Sequence, residues 1–144
     1  MRYILFIFIA FALSACGGIP VTREKANAAT FAAQPTDEDA VQYIRNYLDD
    51  VLIDPSSLRL KCSKVLGKGW ARENFISDEP LFGYLVSCDV NSKNRMGGYT
   101  GGKHYVFIIN GSRISGFDFT GYGDNGPGRH FGLICQVPDD CARS

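Results

Sequence analysis

The apolar residues of this chain change their period once, at residues 54 and 55, and that change limits what it can fold into. Before it, Val41, Ile44, Leu48, Val51 and Leu52 recur at helical spacing, flanked by Ala40 and Tyr47. They form one stripe along a helix. Thr36 is placed to cap that helix, with Asp39 three residues on and three acids facing the positive end of the helix dipole. Asp54-Pro55 stops it, because the residue before proline avoids helical geometry. Gln42, Arg45, Asn46, Asp49 and Asp50 make the opposite, solvated face.

After Pro55 the period is two. Leu58, Leu60 and Cys62 alternate with Arg59, Lys61 and Ser63, which reads as a half-buried strand. Residues 67–80 read as a loop around Gly67-Lys68-Gly69-Trp70. Tyr84, Val86, Cys88 and Val90 alternate with Leu85, Ser87 and Asp89 as a second strand. Residues 104–109 make a third, and Asn110-Gly111 signals a hairpin into a fourth over 112–117. The expectation is an α+β domain: one N-terminal amphipathic helix packed on an antiparallel sheet of about four strands, stabilised by disulfides.

The N-terminus is of another kind. Arg2 precedes an unbroken apolar run over residues 3–13, followed by Ser14 and Ala15. A positive start, a short apolar run and small residues are the layout of a secretory signal peptide. The run is too short to span a bilayer, which takes roughly 20 residues. It also inflates the 45% hydrophobic content of the chain, so the remainder is ordinary for a soluble domain.

Leu13-Ser14-Ala15-Cys16 resembles the bacterial lipobox, set directly after the apolar run. The resemblance implies cleavage after Ala15 and lipidation of Cys16, whose acyl chains would hold the protein on a membrane. Gly17, where an aspartate would retain such a protein at the inner membrane, implies the outer membrane, periplasmic face. Residues 16–35 then form the lipidated N-terminus and a flexible tether, with a partly helical stretch around 23–33 as the other reading. Residues 36–144 form a single domain with a glycine-rich tail.

Four further cysteines, Cys62, Cys88, Cys135 and Cys141, suit two disulfides in an exported protein. Strand spacing favours Cys62–Cys88, and the short Val137-Pro138-Asp139-Asp140 connection favours Cys135–Cys141. Neither CxxC nor paired-histidine spacing occurs, so a zinc site is not expected.

Cys88-Asp89-Val90-Asn91-Ser92-Lys93-Asn94-Arg95-Met96-Gly97-Gly98-Tyr99-Thr100-Gly101 resembles a signature of small exported bacterial proteins reading Val-Asn-Ala-Lys-Asn, an aromatic, then Gly-Gly-Tyr. In that family an upstream helix and an Asp-Pro-Ser segment precede it, as Asp54-Pro55-Ser56-Ser57 does here. Ser92 and Arg95-Met96 depart from the pattern. The resemblance implies the same fold and no settled activity. Asn91, Lys93, Asn94, Arg95 and Tyr99 are the candidate binding loop, for an anionic or carbohydrate ligand. The competing reading is structural, with the asparagines bonding nearby backbone in place of a regular ladder.

Charge is balanced, with 15 basic and 15 acidic residues, so nucleic acid is not an expected partner. His104 and His130 lie in no metal-spaced motif, and neither a nucleophile elbow nor a phosphate-binding loop is present. Asp118, Asp124 and Asn125 lack the ligand spacing of a calcium loop. Asp78 and Glu79 are adjacent acids of the kind that are usually solvated. Phe117, Phe119, Tyr122 and Phe131 either make a contact surface or lie back on the sheet; the second is expected. No cofactor or metal is expected. The expected function is a lipid-anchored envelope binding or structural module, not an enzyme, with an envelope protein or glycan as partner. The alternatives are a lysozyme-inhibitor-like lipoprotein and an envelope hydrolase working through His104 or His130.

Overall fold

A computed structural model describes residues 21–72, 79–119 and 131–134. In chain order the elements are α1 (Arg23–Ala28), α2 (Asp37–Val51), a 3₁₀ turn (Pro55–Ser57), β1 (Arg59–Cys62), β2 (Gly67–Ala71), β3 (Leu81–Asn91), β4 (Lys103–Asn110), β5 (Arg113–Asp118) and β6 (Phe131–Leu133). The described residues form an α+β fold, with an antiparallel sheet and a disulfide between Cys62 and Cys88. Cys135, Cys141, Cys16 and His130 lie outside the described residues, as do Asp78, Tyr122, Asp124 and Asn125.

Among the described residues the sheet has six strands, not about four. Its main order is β5-β4-β3-β2-β6, and β1 also pairs with β3. The long β3 therefore serves two partners on one side, β2 along its first half and β1 along its second. The segment read as a loop contains β2, where Gly69 makes the difference. A Cβ at Gly69 would run into the Leu85 side chain and come within 2.7 Å of the Gly132 carbonyl oxygen. Glycine here lets three strands close together, although its usual signature is a turn.

Helix α2 begins as its sequence dictates. The Thr36 hydroxyl accepts from the Asp39 amide at 3.1 Å and donates to the Asp39 carboxylate at 2.8 Å. The helix ends at Val51, a turn before Pro55, and Leu52 is already extended. Ala40, Ile44 and Leu48 are the buried stripe; Val51 is exposed. They pack with Val86, Cys88, Val90, Phe107 and Ile109 from the sheet. Each fully buried aliphatic in this layer contributes about 1.5–3 kcal/mol of transfer free energy.

Among the described residues there are two α-helices, because α1 falls inside the segment expected as tether, where a partly helical stretch is the other reading. Just beyond it, residues 30–32 dock on the sheet. Asn110 accepts from the Ala32 amide at 2.8 Å and donates to the carbonyls of Thr30 and Phe82 at 2.9 and 3.1 Å. The Tyr84 hydroxyl donates to the Ala32 carbonyl, and the Phe31 ring meets Phe82 and Tyr84 edge-on.

That use of Asn110 moves the hairpin by one residue. Asn110 pairs with Arg113 as a strand residue, so the turn is Gly111-Ser112, not Asn110-Gly111. Gly111 has φ +62 and no described non-glycine residue, Ser112 included, has positive φ, which is the type II′ pattern with glycine first.

On the face away from α2, Ala71, Leu85, Val106 and Ile108 form a second apolar cluster with Leu81, Phe117, Phe119 and Phe131. The described aromatics of the late chain thus lie on the sheet, as expected.

Candidate functional site

Among the described residues, the second apolar cluster covers only part of the length of the second face of the sheet. Alternation along β3 puts Leu85, Ser87, Asp89 and Asn91 on this face. Leu85 lies under the apolar cluster. Past it the face turns polar. Register places Lys61 beside Asp89, Arg59 beside Asn91, and His104 beside Asp89 from the other neighbour. Sequence alternation had marked Arg59, Lys61, Ser87 and Asp89 only as the outward residues of half-buried strands. Pairing across three strands gathers them, with His104, into one platform.

At its centre is a hydrogen-bonded series. His104 Nδ1 lies 3.2 Å from Asp89 Oδ1, and His104 Nε2 lies 3.2 Å from Ser87 Oγ. With the proton on Nδ1, the ring donates to the carboxylate and accepts from the hydroxyl. The histidine and aspartate side chains are both well exposed, 49% and 66%. The Ser87 amide donates to the Ser63 hydroxyl at 3.2 Å, while the Ser87 carbonyl accepts from the Ser63 amide. Ser63 is the first residue past β1, so this amide finds a rotatable partner where the ladder gives out.

The candidate loop adjoins the platform at the end of β3. It folds as a small hairpin closed by a bridge between Lys93 and Tyr99. Asn94 works entirely on local backbone. Its side-chain oxygen accepts from the amides of Met96 at 2.9 Å and Gly98 at 3.2 Å. That is the structural role, and it accounts for Asn94 without a ligand. Arg95 is exposed near the tip, beside the almost fully exposed Met96.

Tyr99 is used differently. The Arg59 guanidinium lies 4.2 Å from its ring centroid, and the Lys93 ammonium 5.6 Å. This cation–π contact holds the guanidinium against the ring without neutralising its charge. No ion pair forms at Arg59, Lys61 or Lys93 among the described residues. The side-chain oxygen of Asn91, whose backbone pairs with Arg59, is buried and lacks a hydrogen-bond partner.

Behind the loop, the Ser57 hydroxyl accepts from the Lys93 amide at 2.8 Å and donates to the Asp54 carbonyl. The Asp54 carboxyl is held below its ordinary value, chiefly by the Ser56 hydroxyl donating to it and, more weakly, by the Lys93 charge. The Asp-Pro-Ser segment is therefore the brace of this loop.

Elsewhere, a groove between α2 and the β4–β5 turn of about 510 Å³ is lined by Tyr43, Asn46, Tyr47, Asp50, Gly111, Ser112 and Ile114. It offers one carboxylate and no base. No group of three metal-binding side chains occurs among the described residues. None of their helices is long and apolar enough to cross a membrane. Of the candidate residues, Lys93 and Tyr99 come together, Asn94 and Arg95 stay in the hairpin, and Asn91 turns inward. Arg59, Ser87, Asp89 and Ser63 complete the site. No protein-family model, curated protein or solved structure matches this chain.

Proposed function

We propose that this protein is a lipid-anchored envelope module that binds an anionic envelope component on the polar half-face of its sheet. One observation carries the reading. Arg59 is held against Tyr99 and forms no ion pair among the described residues, beside Lys61 and Lys93, on a part of the sheet that no described apolar cluster covers. A pre-positioned guanidinium recognises carboxylate or phosphate with little entropic cost. The lipobox resemblance at Cys16 supports delivery to a membrane, and a glycan or protein bearing such groups is the ligand class. The resemblance of residues 88–101 to small exported proteins supports the same compartment.

The experiment is one fractionation with two variants. Wild-type full chain should partition with membranes and, once solubilised in detergent, be retained on immobilised envelope material. Cys16→Ser should release the chain from membranes with retention unchanged. Arg59→Ala with Lys93→Ala should stay on membranes and lose retention by at least about tenfold, the cost of a charged contact. Retention equal to wild type in that double variant would sink the binding reading.

A further inference from the structure

We infer that Ser87 is an activated nucleophile for acyl transfer, with His104 as its base and Asp89 as the residue that orients the base. The inference goes beyond ligand binding and holds whether or not the chain carries a lipid. It rests on four observations. Ser87 Oγ and Asp89 Oδ1 lie at 3.2 Å from the two different nitrogens of one imidazole. That is the connectivity by which a serine hydroxyl passes its proton to a base while a carboxylate fixes the tautomer.

The three groups sit on the two central strands, β3 and β4. Their spacing is set by a regular ladder, with Asp89 directly opposite His104 and Ser87 opposite Val106. Sites built on strands hold their geometry better than sites built on loops. The buried layer beneath, including Val86 and Cys88, keeps that ladder from shifting.

A donor for the developing oxyanion lies at the nucleophile itself. The Ser87 amide is satisfied by the Ser63 hydroxyl. A hydroxyl can rotate away, freeing the N–H toward a carbonyl oxygen whose carbon is under attack by Oγ.

The platform also supplies a cation. Lys61 stands across the strand pair from Asp89 and forms no ion pair among the described residues. The substrate class is therefore an ester with an anionic group near the scissile bond. In the first step the Ser87 Oγ–H proton moves to His104 Nε2 as the Oγ–C bond forms. The tetrahedral centre then collapses, the ester C–O bond breaks, and the leaving alkoxide takes that proton from Nε2. Water repeats the sequence on the acyl-serine, releasing the acid and restoring the Ser87 hydroxyl.

The test uses the full chain in detergent and a fluorophosphonate probe, in which the serine oxygen displaces fluoride at phosphorus. Peptide mass mapping should place the label on Ser87. Ser87→Ala should abolish it. His104→Gln should slow labelling by at least about 100-fold, the usual share of a general base. Asp89→Asn should slow it too and should alter its pH profile, which a merely structural aspartate would not do. Retention of the Cys62–Cys88 disulfide and an unchanged circular dichroism spectrum exclude misfolding of the variants. No label on wild type, a label on another serine, or wild-type labelling by His104→Gln would each overturn the inference.

Discussion

Asn110 shows how much one side chain can decide. As the first half of an Asn-Gly pair it carries the strongest local signal for a turn, yet it sits in β4 and gives its amide to three backbone groups. Tertiary hydrogen bonding outweighs the local preference because each of those groups would otherwise need a partner on losing water. Asn110→Ala is expected to cost roughly 1–3 kcal/mol, the range for one or two lost part-buried hydrogen bonds. A lowered urea midpoint at constant slope measures this. Asn94 is the contrasting case. Its sequence context allowed either ligand or backbone, and its two bonds, to Met96 and Gly98, lie within four residues. Local bonding of that kind can be read from a sequence; the bonds of Asn110 span up to 80 residues and cannot.

Among the elements, α2 and β3 were legible and β2 and β6 were not. A cap at Thr36 and a stripe through Ile44 and Leu48 define α2 without help from the rest of the chain. Strand β3 alternates visibly even though much of it is buried on both faces. By contrast Gly67-Lys68-Gly69 imitates a turn, and Phe131–Leu133 is too short for any period. Both are strands because of their neighbours. Gly69→Ala should therefore act on the β2–β6 pairing before the rest of the sheet. The new methyl group would meet the Gly132 carbonyl oxygen, a backbone atom that cannot rotate aside. A loss of roughly 1–3 kcal/mol is expected for such overpacking. Amide exchange checks the location: the Ile134 amide, which donates to the Lys68 carbonyl at 2.7 Å, should exchange faster while the β3–β4 ladder stays protected.

The platform was legible only in fragments for the same reason. Ser87 and Asp89 are two apart and share a face, but His104 is 15 positions from Asp89. Alternation assigns each residue a face and says nothing of register, and a one-residue slip would reverse His104 to the helix side. The β3–β4 pairing, with Asp89 opposite His104 and Tyr84 opposite Ile109, sets that register. Arg59 and Tyr99 likewise meet only because β1 lies beside the end of β3.

At the scale of the whole molecule, the Cys62–Cys88 disulfide joins two adjacent strands across 26 positions of chain. Cys88 is buried in the helix-side core. Closing a loop of that length stabilises by about 3–4 kcal/mol on the chain-entropy account. Replacing both cysteines by alanine should lower the unfolding free energy by about that amount, measured by denaturant titration of the oxidised proteins. Survival of wild-type stability would mean that β1 is held by its ladder alone. The expected pairing of Cys62 with Cys88 came from strand spacing, which is the part of architecture that period-two alternation conveys well.

The docking of residues 30–32 also governs how the molecule bears tension. A pull on the N-terminal end reaches Ala32 before it reaches α2. It is met by one amide side chain at the tip of β4 and by the Tyr84 hydroxyl. A few such bonds yield at far lower load than the seven-pair ladder between β3 and β4. The clamp is a mechanical fuse. Under such a pull it would give way first and leave the sheet and its polar face unstretched.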